Sequence, residues 1–319
     1  MAQRNNLRKM KKNRSTFLFA FAILLLSFTA NAQNWEVGKT YRDDKNRTEF
    51  TVGNIPLIIS VPHGGSFMPE DIPDRNCPDV VKAFDIRTIE LAHEIEATFI
   101  KKYGLRPFIV ICNISRKKID QNREIEVATC GNEEMKKVWN NYHNYLDTAV
   151  VLATKQFGTC TFIDLHGHGH VKQRIEIGYL LKAEDLEPSS IEKEASSLRS
   201  ISSLNNLPSN GKTKISFKEL MTGENAFGTL MANQGIAAIP SKQDPFPVGD
   251  DKYFNGGYNT KRYTSIDYPK ISGWQIETNY KGVRDEAGRP LFAKAFVNTM
   301  SQWLNWYHKF AFPEPKISN

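Results

Sequence analysis

The chain has 319 residues, 40% of them hydrophobic, with 42 Lys and Arg against 35 Asp and Glu, a formal net charge of +7. Six of the cations (Arg4, Arg8, Lys9, Lys11, Lys12 and Arg14) crowd the extreme N-terminus, so the rest holds 36 basic against 35 acidic residues, a net of +1. That near-neutral remainder lacks the basic footprint of a nucleic-acid binder, and its length suits one large domain or two small ones.

The basic start is followed by an apolar run over 17–28 and by Ala30-Asn31-Ala32, a small-x-small site. This pattern predicts a secretory signal over 1–32, too short to span a bilayer as a stable helix. The expected mature protein, 33–319, is then exported, periplasmic or secreted, with no membrane attachment after cleavage. No Cys follows the cleavage site, which argues against a lipoprotein. Cys77, Cys112, Cys130 and Cys160 are an even number in an exported chain, which allows one or two disulfides. Cys112 and Cys160 lie in apolar, strand-like runs and read as buried small hydrophobes.

Runs rich in β-branched and aromatic residues alternate with longer amphipathic stretches, which predicts an α/β domain. The first expected strand, 56–61, runs into Pro62-His63-Gly64-Gly65, either a stiffened histidine with room for a ligand or an ordinary glycine turn. A helix is expected over 78–102, where Val81, Asp85, Thr88, Ile89 and Ala92 share one stripe. Asp85 interrupts that apolar face and needs a metal, an arginine or strong hydrogen bonds as partner. A second strand, 106–113, leads to Ser115-Arg116 and then Ile119-Asp120-Gln121-Asn122-Arg123. Arg123 offers a planar fork for a carboxylate and Asn122 a means to orient it; the plainer reading is an ion pair of Arg123 with Asp120 or Glu124.

A helix over 133–156 precedes the third strand, 159–165, which ends in Asp164-Leu165-His166-Gly167-His168-Gly169-His170. Three imidazoles spaced two apart at a buried strand end raise a metal site, against the alternative of a polar turn with one satisfied histidine. A helix over 189–204 and a surface loop over 208–214 follow, then a strand over 235–240. The stretch 244–263, rich in Gly, Asn, Asp and Tyr, reads as an ordered active-site loop. The strand 273–278 alternates, with Gln275 and Glu277 on one face and Trp274 and Ile276 on the other, so Glu277 reads either as a general base facing a metal or as a solvent-facing Glu on a half-exposed strand. A last helix spans 290–310. His93, His143 and His308 fall in amphipathic helices and read as structural. Ligands of open parallel sheets bind outside the carboxyl ends of strands, so four polar strand ends are expected to meet in one crevice.

Taken together, Ser60-Val61-Pro62-His63-Gly64-Gly65, Ser115-Arg116, Ile119-Asp120-Gln121-Asn122-Arg123, Asp164-Leu165-His166, Gly256-Gly257-Tyr258 with Thr260-Lys261-Arg262, and Gln275-Ile276-Glu277 resemble the N-formylglutamate amidohydrolase family. They fall in the family order between about residues 50 and 285. The resemblance implies a single three-layer α/β domain over 33–319 with a mixed, largely parallel central sheet, of the phosphorylase/hydrolase-like, zinc carboxypeptidase-like kind. It implies one Zn2+ per chain on His63 and His166. The related group often takes its carboxylate ligand three residues after the first His, where this chain has Ser66, so Asp85 is the replacement candidate and Glu70 the backup. Glu277 would be the general base, Arg116 a cation for the oxyanion, and Asn122, Arg123, Tyr258 and Arg262 would hold a small carboxylate-bearing substrate. Asp164 would support His166.

The signal segment departs from the family's setting, since N-formylglutamate is an intracellular breakdown product. An exported member would act on N-acyl amino acids, peptides or cell-wall fragments instead. Three readings therefore stand: a zinc amidohydrolase, a metallopeptidase or cell-wall amidase on the same scaffold, and a carboxylate-binding protein without catalysis.

Overall fold

The computed structural model describes residues 33–208 and 215–316, so the expected signal segment 1–32 and residues 209–214 of the expected surface loop lie outside the described residues. The chain divides into two units, Met1–Glu36 and Val37–Asn319, and the elements that follow belong to the second. Among the described residues no helix is long and apolar enough to cross a membrane.

Strands β1 (Thr40–Arg42), β2 (Thr48–Thr51), β3 (Leu57–Val61), β4 (Phe108–Cys112), β5 (Cys160–Gly167), β6 (Ile175–Gly178), β7 (Ala238–Ile239) and β8 (Ile271–Thr278) form one sheet in the order β1-β2-β4-β3-β5-β8-β6-β7. Its centre, β4-β3-β5-β8, is parallel. Antiparallel pairs β2–β4 and β6–β8 flank that centre. The helices are α1 (Thr88–Tyr103), α2 (Ile125–Thr129), α3 (Glu133–Phe157), α4 (Pro188–Ile201), α5 (Phe217–Thr222), α6 (Phe227–Asn233), α7 (Tyr258–Tyr263) and α8 (Gly288–His308). The alternation of apolar and amphipathic runs predicts an α/β domain, and the mixed, largely parallel sheet is the one the resemblance implies.

Every residue of β3 and β4 is buried, as parallel strands covered on both faces must be. On one face Ile163, Trp274 and Ile276 join α1 and α8 in a continuous apolar core, with Trp274 and Trp303 at 4.9 Å between ring centroids. On the other face Ser60 shares a 2.7 Å hydrogen bond with Tyr142 of α3, and Phe162 packs on Tyr263 of α7 at 5.1 Å. Asn132 caps α3 by accepting from the Met135 amide, which leaves Glu133 and Glu134 in the first turn to complement the helix dipole.

The topology fixes where a ligand fits. The chain leaves β3 for β4 on one side, then crosses back over β3 to reach β5 on the other. The connections from β3 and β5 thus part in opposite directions and open a crevice at their carboxyl ends. His63 and His166 stand at those two ends.

Three expectations need correction. The helix expected over 78–102 begins only at Thr88, and 78–87 is irregular. Asp79 and Arg87 have φ of 60° and 69°, the left-handed region, and the Cys77–Cys130 disulfide ties the start of the segment elsewhere, so the helical stripe is overridden. The strand expected over 235–240 shrinks to the two residues of β7, which stops before Pro240. The stretch expected as a loop over 244–263 closes in a short helix, α7.

Candidate metal centre

Two imidazoles and a carboxylate turn toward one point. His63 Nδ1 and His166 Nδ1 are 3.1 Å apart, and Asp85 Oδ2 lies 3.0 Å from His166 Nδ1 and 3.5 Å from His63 Nδ1. All three side chains are buried. The far nitrogen of each ring is anchored by a carboxylate, His63 Nε2 by Asp120 at 2.6 Å and His166 Nε2 by Asp164 at 2.9 Å. A carboxylate only accepts, so both Nε2 atoms carry a proton, and in the neutral rings both Nδ1 lone pairs then face Asp85.

In that state three acceptors meet without a donor, so the arrangement calls for positive charge between them, either a metal ion or, without one, a proton on a ring. The electrostatics respond accordingly. Burial alone would raise the Asp85 carboxyl, but its hydrogen bonds with His166 and His63 hold it well below the usual carboxylate range. Burial alone would lower His166, yet Asp164 and Asp85 hold its imidazole well above its ordinary value. A tetrahedral ion with bonds near 2.0–2.1 Å separates its ligands by roughly 3.3 Å, which the three observed edges bracket. A metal-bound His that passes its other N–H to a carboxylate is the usual supporting arrangement. The donor set therefore fits a divalent ion.

The loop expected to be helical delivers Asp85. Its backbone amide donates to the His63 carbonyl at 3.0 Å, and its Oδ2 also accepts from the Gly167 amide at 3.1 Å. Glu70, the alternative ligand, is exposed and lines a different hollow with Lys45 and Asp71. Of the three imidazoles in the glycine-spaced run only His166 joins the group. His168, His170 and Glu176 lie close enough to form a second ligand set. There, however, His168 Nε2 donates to the Arg174 carbonyl and Nδ1 accepts from the His170 amide, so both its nitrogens are committed. His170 Nδ1 pairs with buried Glu176 at 2.7 Å, and its ring stacks on Phe254.

Glu277 pairs with His166 across β5 and β8, and with Glu176 across β6. Its Oε1 accepts from Gln275 Nε2 at 2.9 Å, while Oε2 is buried with no hydrogen-bond partner. Burial pushes this carboxyl up to about 8, with His166 pulling the other way and Asp85 adding to the rise. An unsatisfied buried oxygen costs on the order of 1–3 kcal/mol, and this one belongs to a residue that lines the cavity beside His166.

These groups open onto a cavity of about 640 Å³ whose walls include Arg116, Asn122, Arg123 and Glu277. Arg116 reaches Asp120 through Nε at 2.9 Å and the Ala83 carbonyl through Nη1. Arg123 donates to the Asn122 carbonyl, so it does not form the ion pair with Asp120 that loop arginines commonly make. Asn122 Nδ2 lies 3.2 Å from His166 Nε2, and its Oδ1 accepts from the Asn259 amide.

Tyr258 and Arg262 stand apart from these groups. They line a separate groove of about 810 Å³ with Asp147 and Tyr268. Arg262 donates to the Tyr258 hydroxyl and rests over the rings of Trp139 and Tyr263, because α7 turns both side chains away from the cavity. The part of that motif that touches the site is Gly257, where a Cβ would come within 2.4 Å of Asn122 Nδ2.

Two residues at the site escaped the sequence reading. Asp120 was weighed only as a partner for Arg123, yet it is buried beneath His63, and the charges of His63 and Arg116 overcome its burial to keep it well below the carboxylate range. Arg284 is buried and donates to the carbonyls of Thr278, Ile86 and His168, clamping the Asp85 loop to two strand ends. No pattern in the sequence marks it, since its partners are all backbone oxygens.

No protein-family model matches this chain, and no curated protein matches it in sequence. Among solved structures it is similar to the N-formylglutamate amidohydrolase from Ralstonia eutropha JMP134, with TM-score 0.48 and 13% identity over 80% of this chain and 96% of that one. It is also similar to gene product Atu2144 from Agrobacterium tumefaciens, with TM-score 0.47 and 11% identity over 80% and 91%.

Proposed function

We propose that this protein is a zinc-dependent amidohydrolase that cleaves an amide next to a carboxylate, in the manner of an N-formylglutamate amidohydrolase, on an N-acyl amino acid. The observation that carries the reading is the convergence of His63 Nδ1, His166 Nδ1 and Asp85 Oδ2 beside the unpartnered Oε2 of Glu277. Zinc held by the first three would supply a Lewis acid for the carbonyl and a water of lowered pKa.

The remaining work falls to side chains of this chain. Glu277 Oε2 takes a proton from the attacking water as the C–O bond forms, and returns it to the amine as the C–N bond breaks. Arg116 faces the oxyanion of the tetrahedral stage. Arg123 and Asn122 hold the substrate carboxylate and set the amide against Glu277. Asp120 and Asp164 fix the tautomers of His63 and His166.

Export belongs to the proposal, and the Cys77–Cys130 disulfide supports it, because such bonds persist in oxidising compartments. A second reading, an exported peptidase or cell-wall amidase, draws support from the groove beyond Glu124 and Tyr258, which adjoins the wall made by Arg123 and Gly257. Longer substrates would use it.

The test is the metal content of the purified protein beside that of His166→Ala. About one zinc per chain, lost in the variant, together with hydrolysis of N-acyl amino acids, is the expected result. Absence of zinc from both after reconstitution would overturn the mechanism and favour a carboxylate-binding role.

A further inference from the structure

The floor of the 640 Å³ cavity is polar, but its rim is not. Val81, Phe84, Ile86, Phe254 and Tyr280 all border it, and each is 42 to 45% exposed. Isolated exposed apolar residues are ordinary, whereas several gathered at one mouth mark a place where something apolar binds. The five come from three separate parts of the chain, so no single helix stripe explains them.

Each of the three parts is held in place. Arg284 fixes the Ile86 carbonyl and lies 5.7 Å from the Tyr280 ring centroid. Phe254 is stacked on His170, and its amide donates to buried Glu176 at 2.8 Å. The Cys77–Cys130 disulfide anchors the stretch that leads to Val81 and Phe84. Such a rim is built in advance and does not need to be ordered by its ligand.

A formyl group has one carbon and would leave this rim unused. We propose that the substrate carries an apolar group several carbons long beside the scissile amide, which lies on this rim while the carboxylate sits at Arg123 and Asn122. The substrate class is thus N-acyl amino acids with a medium-length or aromatic acyl group, or N-acylated amino acids with an apolar side chain. This inference rests on the amidohydrolase reading for its chemistry but not for its binding.

The experiment uses the zinc-loaded protein and two series. One is N-acylglutamates from formyl through acetyl and butyryl to hexanoyl and octanoyl; the other is N-formyl derivatives of Glu, Leu and Phe. Turnover is measured on the wild type, and binding by calorimetry on Glu277→Gln, which holds substrate without consuming it. A fully buried methylene is worth up to about fourfold, so a half-exposed rim should give roughly tenfold between formyl and hexanoyl in both kcat/KM and affinity. In Phe84→Ser and Phe254→Ser the hexanoyl-to-formyl ratio should fall toward one.

A rise along the first series assigns the rim to the acyl group, and a rise along the second assigns it to the side chain. Turnover without dependence on either would overturn the inference and leave the amidohydrolase reading intact. Affinity that rises with length, without turnover of any member, would support the rim and overturn that reading. Neither binding nor turnover would overturn both.

Discussion

At the scale of single residues the division of labour around the metal centre can be separated by substitution. Glu277→Gln keeps an oxygen to accept from Gln275 but removes the proposed base. It should lower kcat by about 10²- to 10⁴-fold while the bound metal stays, checked by steady-state kinetics beside metal analysis. Metal lost with activity would instead make Glu277 a ligand. Asp120→Asn should weaken metal affinity by roughly 10- to 100-fold, measured by chelator competition, because His63 loses the carboxylate that fixes its tautomer. The histidines and Asp85 were legible in the sequence because strand ends and a carboxylate on an apolar face are local patterns. Asp120 and Arg284 were not, because what defines them is a partner distant in sequence. The position of Tyr258 and Arg262 was hidden for a related reason: their motif lines this cavity through Gly257, while the two larger side chains line the neighbouring groove.

Among the elements, β3, β5 and β8 could be read almost to their ends, since β3 and β5 write continuous apolar runs and β8 a two-residue alternation. The segment 78–87 could not. Its apolar stripe fits a helix, but a disulfide and two left-handed residues outweigh a local propensity worth a few tenths of a kcal/mol per position, roughly. That contest makes a prediction. Replacing Cys77 and Cys130 together by Ser opens a loop with a sequence separation of 53 and should cost up to about 4 kcal/mol of stability. It should also weaken metal binding, because the Asp85 stretch gains freedom. Denaturant midpoints and chelator competition measure the two effects, and a variant that lost stability with metal affinity unchanged would show that Arg284 alone secures Asp85.

For the whole molecule, one part of the response to acid comes from a histidine far from the cavity. His308 bridges Thr159 and Thr161 where α8 ends beside β5, and burial pushes its imidazole down to about 4. The unfolded chain protonates this group near 6.5, so between those values it binds a proton that the folded chain refuses. The contribution is complete above about pH 6.5 and is lost as pH falls toward 4, on the order of 2 kcal/mol once screening at a half-buried site is allowed for. His308→Gln should flatten the pH dependence of unfolding free energy across that window; an unchanged slope would place the sensitivity elsewhere. The meeting of three lone pairs at His63, His166 and Asp85 has its own consequence on this scale. By mass action, an ion at a hundredfold excess over its dissociation constant adds about 2.7 kcal/mol to a fold that alone can present all three. On the proposed zinc reading the melting temperature is a property of the medium as well as of the chain, and a thermal scan across free zinc concentrations becomes a binding isotherm.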